Sequence, residues 1–71
     1  MAQQLQTALT ILRRKQVEAR TGLSRSTIYL RMSRGEFPTT IRLGVRAVGW
    51  TSDSIDRWIA DRVAAAAKAA K

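Results

Sequence analysis

The sequence contains no cysteine and no histidine, and it has only one proline, one phenylalanine and one tyrosine. Without cysteine or histidine the chain cannot form a disulfide, and it supplies no thiol nucleophile, imidazole base or zinc-finger ligand set. With 71 residues it is long enough for one small domain, which apolar packing and helix caps must stabilise. We therefore predict no enzymatic activity, no cofactor and no metal site.

Long hydrophobic runs are also missing. The first twelve residues have neither the basic region nor the apolar run of a signal peptide. No stretch approaches the roughly 20 apolar residues that a membrane span requires. From the sequence we expect a cytoplasmic, nucleoid-associated protein with no membrane partner.

Acidic residues are few, five against thirteen Lys plus Arg, so the net charge is +8. Nine basic and two acidic residues lie between Arg13 and Arg46, which gives this segment a net charge of +7. From Thr51 onward the chain carries four basic and three acidic residues. A concentrated positive field favours polyanions and makes their binding salt-sensitive, so double-stranded DNA is the leading partner.

Turn and cap residues predict a helix-turn-helix near the middle of the chain. The segment Arg14–Thr21 suits a short helix that Gly22 ends in a left-handed conformation. Ser24 is a good N-cap for a second helix from Arg25 to about Arg34, and Gly35 follows it.

A small β-hairpin and a final helix complete the predicted fold. Alternating apolar residues around Arg42, a glycine at Gly44 and a β-prone run to Trp50 predict the hairpin. Thr51 or Ser52 should cap the last helix, whose apolar stripe should close the core; its predicted members are Ile55, Trp58, Ile59, Arg62, Val63 and Ala66. The expected class is α+β and mostly helical, in the order α-α-β-β-α, with an arm at 1–10, a domain at 11–63 and an Ala-rich tail at 64–71.

The second helix has one packing face and one free face. Ile28, Met32 and Tyr29 should pack, and the two tryptophans should pack elsewhere in the core rather than stack on bases. The residues predicted to contact DNA from this helix are Arg25, Ser26, Thr27, Leu30, Arg31 and Arg34. Short polar side chains and arginines at helical spacing suit the major groove, where arginine can bond guanine through two hydrogen bonds.

Two further basic groups are candidate DNA contacts. The hairpin residues Arg42, Gly44 and Arg46 are predicted to form a wing on the DNA backbone or in the minor groove; the alternative is that these charges only keep a sheet edge soluble. Arg13, Arg14 and Lys15 place three positive charges at a helix N-terminus, which is unfavourable without an anion nearby. They are candidate phosphate contacts, with a solvated basic run as the alternative.

Several of these segments together resemble the AlpA family of small phage-type regulators, relatives of excisionases and of MerR-type winged-helix domains. The matching pieces are Gly22-Leu23-Ser24-Arg25-Ser26-Thr27-Ile28-Tyr29, Gly35-Glu36-Phe37-Pro38, Leu43-Gly44 with Arg46-Ala47-Val48-Gly49-Trp50, and Ile55 with Trp58-Ile59. The resemblance implies a winged helix-turn-helix that regulates transcription in a prophage or mobile element. It also implies an alternative role, as a recombination directionality factor that bends an attachment site.

Integrase or RNA polymerase would be the protein partners under these roles, and copies could bind DNA as a dimer or a cooperative array. A third alternative is a basic amphipathic module for a membrane or an acidic protein. Such a module needs a broad apolar face opposite its charge. Here the best apolar stripe lies on the least basic helix, so we favour DNA.

Overall fold

The computed structural model describes residues 9–69, which fold into three helices and a small antiparallel sheet. The elements are β1 (Ile11–Leu12), α1 (Arg14–Thr21), α2 (Arg25–Ser33), β2 (Ile41–Arg42), β3 (Val48–Thr51) and α3 (Ser52–Ala69). The predicted α+β, mostly helical class is confirmed, and the order of elements is compatible with a winged helix-turn-helix. Most of the predicted N-terminal arm, residues 1–8, and the last two residues of the tail lie outside the described residues.

The ends of α1 and α2 are set by the predicted caps. Gly22 has φ 76° and donates its N–H to the Glu18 carbonyl at 2.8 Å, which ends α1. The Ser24 hydroxyl accepts the Thr27 N–H at 3.2 Å and begins α2. A three-residue turn, 22–24, therefore joins the helices, and local hydrogen bonds fix both of its ends.

The C-terminal end of α2 also matches the prediction at Gly35. This residue has φ 70°, and its N–H reaches the Met32 carbonyl at 3.1 Å. The Glu36 N–H reaches back to the Arg31 carbonyl at 2.8 Å. This pair of bonds is a Schellman motif, which satisfies carbonyls that the helix leaves unpaired.

The sheet has one strand more than the sequence predicted. Its order is β1-β3-β2, with Leu12 opposite Trp50 on one side and Ile41 opposite Gly49 on the other. Gly49 lets the strands approach closely, because a Cβ built there would lie 2.9 Å from both the Ile11 Cγ2 and the Leu12 carbonyl oxygen. The segment before α1 is therefore part of the fold and is tied to the hairpin.

Nearly every element contributes to one core. Its buried apolar residues are Leu12, Val17, Ile28, Phe37, Trp50 and Ile55. Leu23, Met32, Trp58 and Ile59 pack against them and are partly buried. The predicted core positions of Ile28 and Met32, and of the two tryptophans, are confirmed, with Trp58 at the margin.

Three aromatic rings hold the segment between α2 and the hairpin. Phe37 makes edge contacts with Trp50, at a centroid distance of 6.1 Å, and with Trp58, at 4.9 Å. The Trp50 indole N–H donates to the Pro38 carbonyl at 2.9 Å, and the Trp58 indole N–H donates to the Glu36 carbonyl at 3.0 Å. We call these three rings the aromatic clamp, because they fix residues 36–38 from both sides.

The last helix is longer than the core that it helps to close. Thr51 occupies its capping position, and its hydroxyl accepts the Ser54 N–H at 3.4 Å. Every residue from Ala60 to Ala69 is exposed, including Val63 at 63%. The prediction that the stripe closes the core beyond Ile59 is therefore wrong, because the other elements do not reach that far along the helix. Among residues 9–69, no helix has the length and apolar character to cross a membrane.

Candidate nucleic-acid interface

The structure places several of the predicted contact residues on one exposed face of α2. Ser26, Leu30 and Arg34 are exposed and follow one another at intervals of four residues, so they project from the same side of the helix. Thr27 lies beside them, half-buried, with its hydroxyl 2.9 Å from the Ser24 hydroxyl oxygen. We call this surface the α2 face. It is polar near the start of the helix and cationic at its end.

Tyr29 was predicted to pack in the core with Ile28 and Met32, but it lies outside that core. Its side chain is 41% exposed, and the Arg25 guanidinium carbon lies 5.6 Å from the centroid of its ring. Arg25 and Tyr29 are four residues apart, a spacing that brings helical side chains together. This spacing was the signal in the sequence that could have identified Tyr29 as part of the candidate site.

Arg31 lies on the opposite flank of the α2 face and is half-buried. Its guanidinium carbon is 5.9 Å from the centroid of the Trp58 ring on α3. Its Nε is buried without a hydrogen-bond partner. Arg31 is thus held against the protein, in contrast to the freely exposed Arg34.

A surface groove brings three of the predicted basic elements together. It has a volume of about 370 Å³ and is lined by Arg13, Arg14, Lys15, Tyr29, Arg46 and Val48. We call it the basic groove. The N-terminus of α1, the flank of α2 and the hairpin meet here, although they are distant in sequence. The groove could hold a phosphate, because its charge is positive and the first turn of α1 contains no acidic residue.

The hairpin exposes all three of its predicted contact residues. Arg42 lies on β2 opposite Val48, and Gly44 and Arg46 lie in the turn. The N–H groups of Leu43 and Gly44 both donate to the Ala47 carbonyl, at 2.7 and 3.2 Å, and close that turn. Between Gly44 and Arg46, the Val45 side chain is 90% exposed. The tip of the hairpin therefore presents an apolar side chain beside a cation.

Few of the predicted cationic contact residues take part in ion pairs. Arg14 pairs with Glu18 within α1, Arg20 with Asp56 at 3.6 Å, and Arg57 with Asp53 at 3.7 Å. Residues 9–69 form no other ion pair. Seven of the eight predicted cationic contact residues have no carboxylate of residues 9–69 within 4 Å: Arg13, Lys15, Arg25, Arg31, Arg34, Arg42 and Arg46. The arrangement leaves these cations available to an external anion.

In the described part of the chain, no three acidic side chains lie close enough together to hold a metal ion. Asp61 lies four residues after Arg57, a spacing that allows an ion pair on a helix, but within residues 9–69 only Asp53 pairs with that arginine. Asp56 instead bridges α3 to α1 through Arg20.

Comparison with known proteins gives the family. The family model described as prophage CP4-57 regulatory protein (AlpA) matches residues 10–63. The chain belongs to this AlpA family of prophage regulatory proteins. The match begins just before β1 and ends within α3, four residues after Ile59, so it covers the whole packed part of the AlpA-like fold. The resemblance expected from the sequence motifs is confirmed.

Two relatives illustrate the similarity. The chain is 38% identical to the DNA-binding transcriptional activator AlpA of Escherichia coli K12, in a match that covers 78% of this chain and 87% of the relative. It is 46% identical to the uncharacterized protein ORF88 of Enterobacteria phage P4, over 61% of this chain. The match covers about half, 49%, of the phage P4 protein.

Proposed function

We propose that this AlpA-family protein binds double-stranded DNA in a sequence-specific manner and regulates transcription in a prophage or related mobile element. Its action is binding rather than catalysis, and its place of work is the cytoplasm, at the nucleoid. The observation that carries the proposal is the set of seven cations without a carboxylate partner around the α2 face, the basic groove and the hairpin. The E. coli relative supports it, since that protein is named as a DNA-binding transcriptional activator.

In the proposed complex, α2 enters the major groove. Its predicted contact residues match the chemistry of base edges: hydroxyls at the start of the helix, Leu30 for a thymine methyl group, and an arginine near its end for guanine. Arg25 lies at the first position of α2, where a cation is unfavourable unless an anion is close. A backbone phosphate at this point would remove that unfavourable interaction.

The basic groove and the hairpin would contact the DNA on one side of α2. Arg13, Arg14 and Lys15 face the same groove as Arg46, so one strand of phosphates could pass between them. Arg42, Gly44 and Arg46 would place the hairpin as a wing on the backbone or in the minor groove, where arginine is favoured in narrow regions. Arg14 already pairs with Glu18, so we assign it the weakest phosphate contact of the three.

One such module buries only about 600 to 1,000 Å² of its surface on DNA. We therefore propose that high affinity needs several copies on repeated or inverted half-sites, or a partner such as RNA polymerase or an integrase. Selection of binding sites from random duplexes, followed by footprinting, would count the half-sites. A sharp bend in a circular-permutation gel, together with an effect on integrase, would instead favour a recombination directionality factor.

Salt dependence tests the charge argument directly. If five or six phosphates are neutralised, the logarithm of the affinity should fall with the logarithm of the salt concentration at a slope of about −5. Fluorescence anisotropy with a selected duplex, between low and physiological salt, measures this slope. A flat response would contradict the proposal.

Two arginine variants separate contact from net charge. Arg46→Ala should weaken binding to all duplexes evenly and reduce the salt slope by about 1, since its expected contact is a phosphate. Arg57→Ala removes the same charge from α3, where the side chain pairs with Asp53. We expect this control to bind almost like the native protein, and equal losses from both variants would mean that only total charge matters.

A further inference from the structure

An aromatic ring of another helix lies beneath Arg31, which distinguishes this residue from Arg34 at the same end of α2. The Arg31 guanidinium carbon lies 5.9 Å from the centroid of the Trp58 ring, within the range of a cation–π contact. Arg34, one turn later, is exposed and has no such ring contact within the described residues. The two side chains therefore differ in freedom, although both belong to the same end of the helix.

Trp58 is itself held in place. Its indole N–H donates to the Glu36 carbonyl at 3.0 Å, and its ring contacts the ring of Phe37 at a centroid distance of 4.9 Å. Glu36 in turn donates its N–H to the Arg31 carbonyl at 2.8 Å. The backbone of Arg31 and the ring under its side chain are thus joined through one residue, which fixes the guanidinium relative to α2.

The guanidinium nitrogens of Arg31 differ in burial. Nε is buried and has no hydrogen-bond partner. The two terminal nitrogens are not among the buried unpaired atoms of residues 9–69, and they make no hydrogen bond there. Guanine can be bonded side-on through Nε and one terminal nitrogen, or end-on through both terminal nitrogens. The buried Nε excludes the first geometry and leaves the second.

We propose that Arg31 specifies one guanine of the operator end-on, through its two terminal nitrogens bonded to O6 and N7, with the Trp58 ring orienting the guanidinium. This inference rests on the proposed function and adds a particular base and geometry to it. Trp58 acts as a positioning residue, because it touches the arginine rather than the base. In this arrangement Arg34, whose guanidinium has no aromatic ring beneath it, contacts a phosphate.

The test compares base preferences after a selected duplex is known. Affinity is measured for that duplex and for single-base substitutions at every position. Arg31→Gln should lose a preference for guanine of about 5- to 150-fold at one position. Arg34→Gln removes the same charge, and it should keep the preference while lowering the salt slope by about 1.

Trp58→Leu keeps Arg31 in the sequence but removes the ring that orients it, so the preference for guanine at the same position should weaken. Trp58→Phe should weaken it less, because a ring remains. Thermal unfolding monitors whether these variants fold. If Trp58→Leu does not, Arg31→Gln and Trp58→Phe decide the question. The inference is overturned if Arg31→Gln leaves every base preference unchanged, or if the tryptophan variants alter a different position. Should the native protein select no sequence at all, the proposed function itself fails.

Discussion

Gly49 offers a sharp test of how the sheet holds the hairpin. A Cβ at this position would lie 2.9 Å from the Leu12 carbonyl oxygen, 2.9 Å from the Ile11 Cγ2 and 3.2 Å from the Leu43 Cδ1. The Ile11 and Leu43 side chains can rotate. The carbonyl belongs to the backbone of β1, whose two residues pair with Trp50 and Thr51, next to Gly49 on β3, so it can move only if the pairing is distorted.

Overpacking of this kind costs about 1 to 3 kcal/mol of unfolding free energy. Alanine also reduces the entropy of the unfolded chain, which raises the unfolding free energy by about 0.4 to 1 kcal/mol. Gly49→Ala should therefore destabilise the protein by about 1 to 2 kcal/mol. For a domain of this size each kcal/mol lowers Tm by about 4 to 8 °C, so the shift is easily measured.

Urea unfolding followed by the fluorescence of the two tryptophans, of which Trp50 is fully buried, gives the free energy, and Gly44→Ala is the matched control. A Cβ at Gly44 would meet only the Ala47 Cβ, at 3.9 Å, and its φ is not positive. That variant should be as stable as the native protein, or more stable by up to about 1 kcal/mol. If Gly49→Ala proves as stable as Gly44→Ala, then β1 does not pack against β3 as described.

Two smaller perturbations test the caps and the ion pairs. Ser24→Ala should lower the unfolding free energy by about 1 kcal/mol in the same assay, because it removes the acceptor of the Thr27 N–H. Ser24→Gly should lower it by only a few tenths of a kcal/mol. Equal losses from the two variants would argue against a cap. Asp53→Asn should change the unfolding free energy by less than about 0.5 kcal/mol, since its pair with Arg57 is largely exposed. A larger loss would show that the start of α3 depends on this charge.

Local signals in the sequence predicted the helices well, because their ends are determined by residues close to them. Gly22 and Gly35 adopt the left-handed conformation that their positions indicated, and Ser24 caps α2. These contacts span a few residues and need no tertiary information. The hairpin was predicted for the same reason, from alternation and from a glycine at the turn.

The remaining features depend on contacts between distant residues. The two residues of β1 are too few to show a strand period, and their pairing with Trp50 and Thr51 spans nearly forty residues. The exposure of Val63 depends on how far the other elements extend beside α3, which periodicity along one helix does not reveal. The position of Arg31 over Trp58 likewise joins two helices that are separated by the hairpin.

The aromatic clamp links these long-range contacts to the candidate interface. Trp50 lies on β3 of the hairpin and Trp58 lies on α3, and both donate to carbonyls of the segment that leaves α2. The hairpin pairs with β1 through two residue pairs, and its own strands β2 and β3 are joined by two more. Phe37 and the two indoles add contacts that tie the segment after α2 to the hairpin and to α3. In the proposed DNA complex, α2 and the hairpin contact one duplex, and we expect these ring contacts to hold the two elements at the spacing that the major groove and the adjacent backbone require.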